Sequence, residues 1–294
     1  LSGANAQGCA AYKDDWVYLT SFNYGNTING SDAQGFVYCV NADSGEERWR
    51  TILAQNGCGS VACGDDGRVY VCTYNFYGNG ATYALDAIDG SIIWERVTAR
   101  TDATPALAYG NVYVSGGYYN GKTYCFNAST GTTVWESDPS LSIGSWTASI
   151  AVADGKVYVG EGYSGTEMIK GYGKLYALDA FTGDIQWVGS CGGASPAIYD
   201  GNLVTIDYQR LVCCYDGSNA HVDLETEVSE LETLEFFTDT SQEITVTVKN
   251  LGTTYCDSDI KVSMLVDGTE VSNQMIESLA GGLSETISFF WTPT

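Results

Sequence analysis

Val69-Tyr70-Val71, Tyr83-Ala84-Leu85-Asp86-Ala87, Asp89-Gly90 and Trp94 follow one another in a single stretch of the chain. The same frame recurs. It reads Trp16-Val17-Tyr18-Leu19, Val37-Tyr38-Cys39-Val40-Asn41-Ala42, Ser44-Gly45 and Trp49 before it. After it come Val112-Tyr113-Val114, Tyr124-Cys125-Phe126-Asn127-Ala128, Thr130-Gly131 and Trp135, then Val157-Tyr158-Val159, Tyr176-Ala177-Leu178-Asp179-Ala180, Thr182-Gly183 and Trp187. A fifth frame begins at Ala197-Ile198, passes Leu203-Val204-Thr205 and Cys213-Cys214-Tyr215-Asp216-Gly217, and stops without its Thr-Gly and its Trp.

Tyr18, Tyr70, Tyr113 and Tyr158 fall 52, 43 and 45 residues apart, the length of one four-stranded propeller blade. Alternation along each strand turns one face toward the neighbouring blade. Asp or Asn followed three or four residues later by Gly makes a tight turn into the last strand, with Gly taking positive φ. The Trp fills the gap between blades, which widens toward the rim. The expected fold is all-β: a β-propeller of four to five blades over residues 9–220, followed by a second domain.

The frame resembles the quinoprotein-like (PQQ-type) β-propeller repeat, close to Val-Tyr-Val…Leu-Tyr-Ala-Leu-Asp-Ala-x-Thr-Gly-x-x-x-Trp, over about residues 9–217. The resemblance implies a fold more than an activity. That family spans quinone-dependent alcohol dehydrogenases, outer-membrane assembly scaffolds and surface proteins without a cofactor.

Beyond the repeats, 221–236 alternates acidic and apolar residues. Ile244–Gly252, Ile260–Gly268, Glu270-Val271 and Thr286–Trp291 then show period-two strands separated by Asn-x-Gly and Asp-Gly turns, the pattern of an antiparallel β-sandwich. V-x-V-x-N-x-G…V-D-G…F-x-W is similar to the CARDB-type immunoglobulin-like module of bacterial and archaeal surface proteins, over 222–294. In that family a further strand follows, so the sandwich is expected to lack its last strand. Residues 1–8 are a candidate donor strand.

Lys and Arg total 13 against 36 Asp and Glu, a formal charge of −23. Phosphate backbones and anionic lipid repel such a chain, so nucleic-acid and membrane-surface roles are disfavoured. No apolar run reaches transmembrane length. The start at Leu1-Ser2-Gly3-Ala4 reads as a processed mature end, and the expected location is extracellular or at the cell surface. Asn29 and Asn127 head Asn-x-Ser sequons, candidates for glycosylation in a secreted protein.

Ten cysteines, Cys9, Cys39, Cys58, Cys63, Cys72, Cys125, Cys191, Cys213, Cys214 and Cys256, include no C-x-x-C pair, and His221 is the one histidine. Zinc-finger, haem-attachment and iron–sulfur spacings are missing, so disulfides in an oxidising compartment are the expectation. Cys213-Cys214 invites comparison with the adjacent disulfide that some quinone enzymes carry beside the cofactor. Here the pair occupies a strand, where successive residues point to opposite faces. Four and a half blades also fall short of the eight-bladed cofactor funnel that the resemblance implies for those enzymes. Nucleophilic catalysis lacks a partnered nucleophile for His221. No catalytic residue, cofactor or metal is therefore expected.

The loops between second and third blade strands carry Tyr24, Tyr74, Phe76, Tyr77, Tyr118, Tyr119, Tyr163 and Tyr172 among Asn and Gly. Such a surface suits contact with proteins or glycans. Two incomplete modules and an odd Cys256 point to a non-enzymatic, self-associating subunit of an extracellular filament, sheath or surface layer of an archaeon or bacterium. An adhesion or glycan-binding module of a larger surface protein is the alternative, and a quinone-cofactor dehydrogenase a more distant one.

Overall fold

A computed structural model describes residues 8–22, 35–75, 78–117, 120–162, 173–190, 192–199, 201–206, 212–216, 224–228, 240–250, 256, 259–266, 269–280 and 282–292. The chain divides into two compact units, Leu1–Asp216 and Gly217–Thr294.

The first unit is a run of antiparallel sheets in sequence order, as the repeat predicts. The first blade holds β1 (Ala11–Lys13), β2 (Trp16–Ser21), β3 (Gly35–Asn41) and β4 (Glu47–Leu53). The second holds β5 (Ala62–Cys63), β6 (Arg68–Cys72), β7 (Gly80–Asp86) and β8 (Ile92–Thr98). The third holds β9 (Ala106–Ala108), β10 (Asn111–Gly116), β11 (Lys122–Asn127) and β12 (Thr133–Glu136). The fourth holds β13 (Ala151–Ala153), β14 (Lys156–Gly160), β15 (Leu175–Asp179) and β16 (Ile185–Gly189). A fifth sheet has three strands, β17 (Ala197–Tyr199), β18 (Asn202–Ile206) and β19 (Val212–Asp216), and no fourth among the described residues.

One row of residues crosses every full blade in the same register. It runs Ala11–Tyr18–Cys39–Trp49 in the first, Ala62–Tyr70–Ala84–Trp94 in the second, Ala106–Tyr113–Cys125–Trp135 in the third and Ala151–Tyr158–Ala177–Trp187 in the fourth. A small residue stands between the two large rings, which lets Tyr and Trp meet over it. Their centroids lie 5.9–6.1 Å apart in the first three blades, tilted as aromatic pairs prefer. This explains why the Tyr-Ala-Leu-Asp strand takes Cys where others take Ala. A bulge follows the small residue in each blade and turns the strand toward its Asx turn.

The core lies between blades. Tyr18, Val37, Cys39, Trp49 and Leu53 of the first pack on Val69, Val71, Tyr83 and Leu85 of the second. Tyr70, Cys72 and Trp94 meet Val112, Val114 and Phe126 of the third. Tyr113, Cys125 and Trp135 meet Val157, Val159, Tyr176 and Leu178 of the fourth. The middle strands of the second and third blades bury both faces because they have a blade on either side.

The second unit has a sheet ordered β20 (Leu224–Val228), β21 (Gln242–Asn250), β24 (Ser284–Trp291) and a hairpin of β22 (Ile260–Val266) and β23 (Thr269–Ile276). The two share one apolar core of Ile244, Val246, Val248, Val262, Ile276 and Phe289. No helix among the described residues is long and apolar enough to cross a membrane.

Candidate functional site

Three tryptophans join successive blades in one way. Trp49 Nε1–H donates to the Ala87 carbonyl at 3.0 Å, Trp94 to Ala128 at 2.8 Å and Trp135 to Ala180 at 2.9 Å. The hydroxyls of Tyr18 and Tyr113 donate to the Ala87 and Ala180 carbonyls at 3.4 and 3.1 Å; that of Tyr70, 3.3 Å from the Ala128 carbonyl, donates to Asp66 Oδ2 at 2.5 Å. The accepting turns are preformed: Oδ1 of Asp86, Asn127 and Asp179 accepts two backbone N–H groups from its own turn. The turn glycines Gly90, Gly131 and Gly183 have φ of 74°, 67° and 79°. A Cβ on them would lie 2.5, 2.6 and 2.8 Å from the indoles of Trp49, Trp94 and Trp135. Glycine is therefore required twice, for its backbone conformation and as the surface on which the preceding blade's indole lies. The sequence revealed the first requirement and not the second, because the seated ring is about 40 residues away.

A second set of contacts joins the segments that lead into the first strand of each sheet of this unit. Cys9 N–H donates to Ser60 Oγ at 2.8 Å, Thr104 N–H to Ser149 Oγ at 3.0 Å and Ser149 N–H to Ser195 Oγ at 2.9 Å. Each hydroxyl belongs to the next blade. The sequence signal is a small residue followed by a hydroxyl, Gly59-Ser60, Ala103-Thr104, Ala148-Ser149 and Ala194-Ser195; its residues are too common to stand out beside Tyr and Trp. Next to this rail, Asp102 N–H donates to the Trp146 carbonyl at 2.9 Å. Burial pushes the Asp102 carboxyl up to about 6. Cys58 is pushed up to about 12, by burial first and by the nearby Asp102 second.

The expectation of disulfides finds no support at six of the ten cysteines. Cys9, Cys39, Cys58, Cys63, Cys72 and Cys125 are thiols in the structure. Burial raises Cys39 and Cys63, and takes Cys72 and Cys125 to about 12. A protonated buried thiol is a poor nucleophile and acts as a small apolar residue. Cys256 is buried in the second unit's core. Cys213 and Cys214 sit on β19 opposite Thr205 and Val204; Cys191 lies outside the described residues.

Of the aromatic loop residues, Tyr74 is half-buried, with its ring 5.5 Å from that of Trp146 and 5.4 Å from the Arg100 guanidinium. It braces its own unit. Tyr24, Phe76, Tyr77, Tyr118, Tyr119, Tyr163 and Tyr172, like Asn29, His221 and residues 1–7, lie outside the described residues. Asn127 spends its side-chain oxygen on the Ser129 and Thr130 amides of its turn. In the second unit a cleft of about 400 Å³ opens between the sheets, lined by Ile244, Val262, Met264, Phe289 and Trp291. Among the described residues no three His, Cys, Asp or Glu side chains gather as metal ligands.

Residues 33–138 and 119–282 match the sequence profile described as outer membrane protein assembly factor BamB. Among curated proteins no sequence matches the chain. BamB from Moraxella catarrhalis shares 16% identity, with 97% of this chain and 82% of that chain covered and a TM-score of 0.52. A europium-containing methanol dehydrogenase shares 15%, with 96% and 68% covered and a TM-score of 0.54. A quinohemoprotein alcohol dehydrogenase from Pseudomonas putida HK5 shares 16% over 93% of this chain and 42% of that one, with a TM-score of 0.49. At such identities the likeness shows the fold. The relatives found are an assembly factor and a methanol dehydrogenase, and they overturn the expectation of a filament, sheath or surface-layer subunit and its adhesion-module alternative. The match also runs to residue 282, across the segment read above as CARDB-type, and lends that reading no support. The PQQ-type frame is confirmed, and with most of its length matched the chain belongs to the family described as outer membrane protein assembly factor BamB.

Proposed function

We propose that this chain is a non-catalytic scaffold that works outside the cytoplasm and holds other polypeptides while they assemble. Its family membership over residues 33–282 is the observation that carries this reading. The family's name describes an assembly factor for outer membrane proteins. The chemistry of the blades agrees: the indole N–H groups of Trp49, Trp94 and Trp135 join one blade to the next, and burial holds the thiols of Cys39, Cys58, Cys63, Cys72 and Cys125 protonated. The acidic surface, −23 in all, favours basic or neutral polypeptides over nucleic acid and anionic lipid. In this reading the Tyr-rich loops supply contact surface, and the second unit is an immunoglobulin-like module. Two small sheets around one core support the latter.

The test offers the full chain two ligands. One is an unfolded outer-membrane β-barrel polypeptide, followed by sedimentation. The other is the quinone cofactor with calcium, followed by dye-linked alcohol oxidation. A stoichiometric polypeptide complex without quinone-dependent oxidation supports the scaffold. Stoichiometric quinone binding with alcohol turnover and no polypeptide complex overturns it.

A further inference from the structure

Each full blade turns twice at the same end, once between its first two strands and once between its last two. The N–H groups of Ala42, Ala87, Ala128 and Ala180 donate to the carbonyls of Asp15, Gly67, Gly110 and Gly155 and so tie the two turns of each blade together. In the first, third and fourth blades the inner turn has two residues, both at positive φ: Asp14-Asp15, Tyr109-Gly110 and Asp154-Gly155. Such turns favour Asn, Asp and Gly. Tyr109 is the exception. A bulky residue held at φ of 52° is an outlier, and outliers of this kind concentrate at functional sites.

Tyr109 reaches across to the next blade. Its hydroxyl accepts the Gly155 N–H at 2.9 Å, and its ring stands 5.2 Å from that of Phe181, tilted by 46°. Phe181 occupies the turn position filled by Asp43, Ile88 and Ser129 in the other blades. Tyr109 is 40% exposed and Phe181 55%. The third and fourth blades pack on one another, so these rings stay exposed with the neighbouring blade already in place.

The surroundings are acidic. Across the two turns of the fourth blade, Asp154, Asp179 and Asp184 stand against one cation, Lys156. Lys156 Nζ donates to the Asp154 carbonyl at 3.1 Å, and Asp184 accepts the Thr182 hydroxyl at 2.8 Å. Tyr158 is pushed up to about 12 by burial first, then by the charge of Asp154 and by Tyr109, which sets that carboxylate beside the ring pair. Elsewhere at this end Asp14, Asp43, Glu46 and Asp89 are exposed, while Lys13 and Arg68 pair with Asp65 and Asp66. The face of an aromatic ring is negative, so open rings among carboxylates attract an organic cation. We infer that Tyr109 and Phe181 hold the guanidinium or ammonium head of a basic segment of a partner polypeptide, which lies along the acidic turns at this end of the unit. That a polypeptide carries the cation rests on the scaffold reading; the ring pair's affinity for a cation does not.

The probe is a labelled peptide, Gly-Arg-Gly-Arg-Gly-Arg-Gly, titrated by anisotropy with the full chain at about 0.15 M salt. Its control carries citrulline for arginine, which keeps the shape and loses the charge. The variants use residues that suit these turns: Phe181→Ser copies Ser129, and Asn in Tyr109→Asn tolerates the left-handed region. Saturable binding of the arginine peptide is expected, weakened about fivefold or more by each variant and lost with citrulline. Hydrogen exchange at residues 109–110 and 181–183 of the unmodified chain is expected to slow with the arginine peptide, a readout that stands even if a variant unfolds early. Binding that ignores both rings overturns the site and leaves the pair a brace between blades. Equal binding of the citrulline peptide, or protection only elsewhere, also overturns it. So does protection of these residues by a neutral oligosaccharide such as maltohexaose and not by the peptide. A chain that captures barrel polypeptides but fails these tests loses the cation site and keeps the scaffold. One that passes them but captures no barrel polypeptide keeps the site and loses the scaffold.

Discussion

The residues that decide this molecule are small ones. Gly90, Gly131 and Gly183 are read from sequence as turn formers, and they are. That a ring from the preceding blade rests on each was not legible, because contact across a period needs the register of two blades. Asp102 was not legible either. In a chain with 36 acids one more Asp carries no mark of burial. Its carboxyl is raised from 3.8 to about 6, so the folded chain holds a proton that the unfolded chain has lost between those values. Stability from this group is therefore full below about 4 and lost as pH rises through about 6. Asp102→Asn removes that dependence. It is expected to raise stability at pH 7 by about 2 kcal/mol and to converge with the parent near pH 4. Urea midpoints of both proteins measured from pH 4 to 7 check it; parallel curves contradict it.

At the scale of the element, the blade row of Ala, Tyr, a small residue and Trp accounts for cysteines that composition alone reads as disulfides. Ten cysteines in an acidic chain suggest an oxidised protein, and no count distinguishes a cross-link from a thiol chosen for its size. Position does. Cys39 and Cys125 occupy the same place as Ala84 and Ala177, between two rings. Alkylation of the native chain at pH 8 is expected to modify the exposed Cys9 first, and Cys39, Cys72 and Cys125 only after unfolding. Peptide mass mapping of the modified sites reads this out. Prompt labelling of Cys125 in the folded chain, or its recovery in a disulfide, contradicts the packing role.

Over the whole molecule, the four full frames and the shortened fifth were legible because Tyr, Trp and Gly recur at one period, and the described residues of the first unit form four four-stranded sheets and one of three. Function was less legible. Two incomplete modules suggested a polymer subunit, and the relatives found overturn that expectation. Trp49, Trp94 and Trp135 are 8, 5 and 8% exposed, while Trp187, before the three-stranded sheet, is 37% exposed.

Trp49, Trp94 and Trp135 each seat on the turn glycine of the next blade. A double-mutant cycle between Trp94→Leu and Gly131→Ala, with Gly45→Ala as the reference for backbone strain, tests it in urea unfolding. Gly131→Ala is expected to cost about 1–3 kcal/mol more than Gly45→Ala, the overpacking of a Cβ against an indole. That excess is expected to vanish once Trp94 is Leu, giving a coupling of about 1–2 kcal/mol. Costs equal at Gly131 and Gly45, with the two substitutions additive within about 0.5 kcal/mol, would contradict the seat.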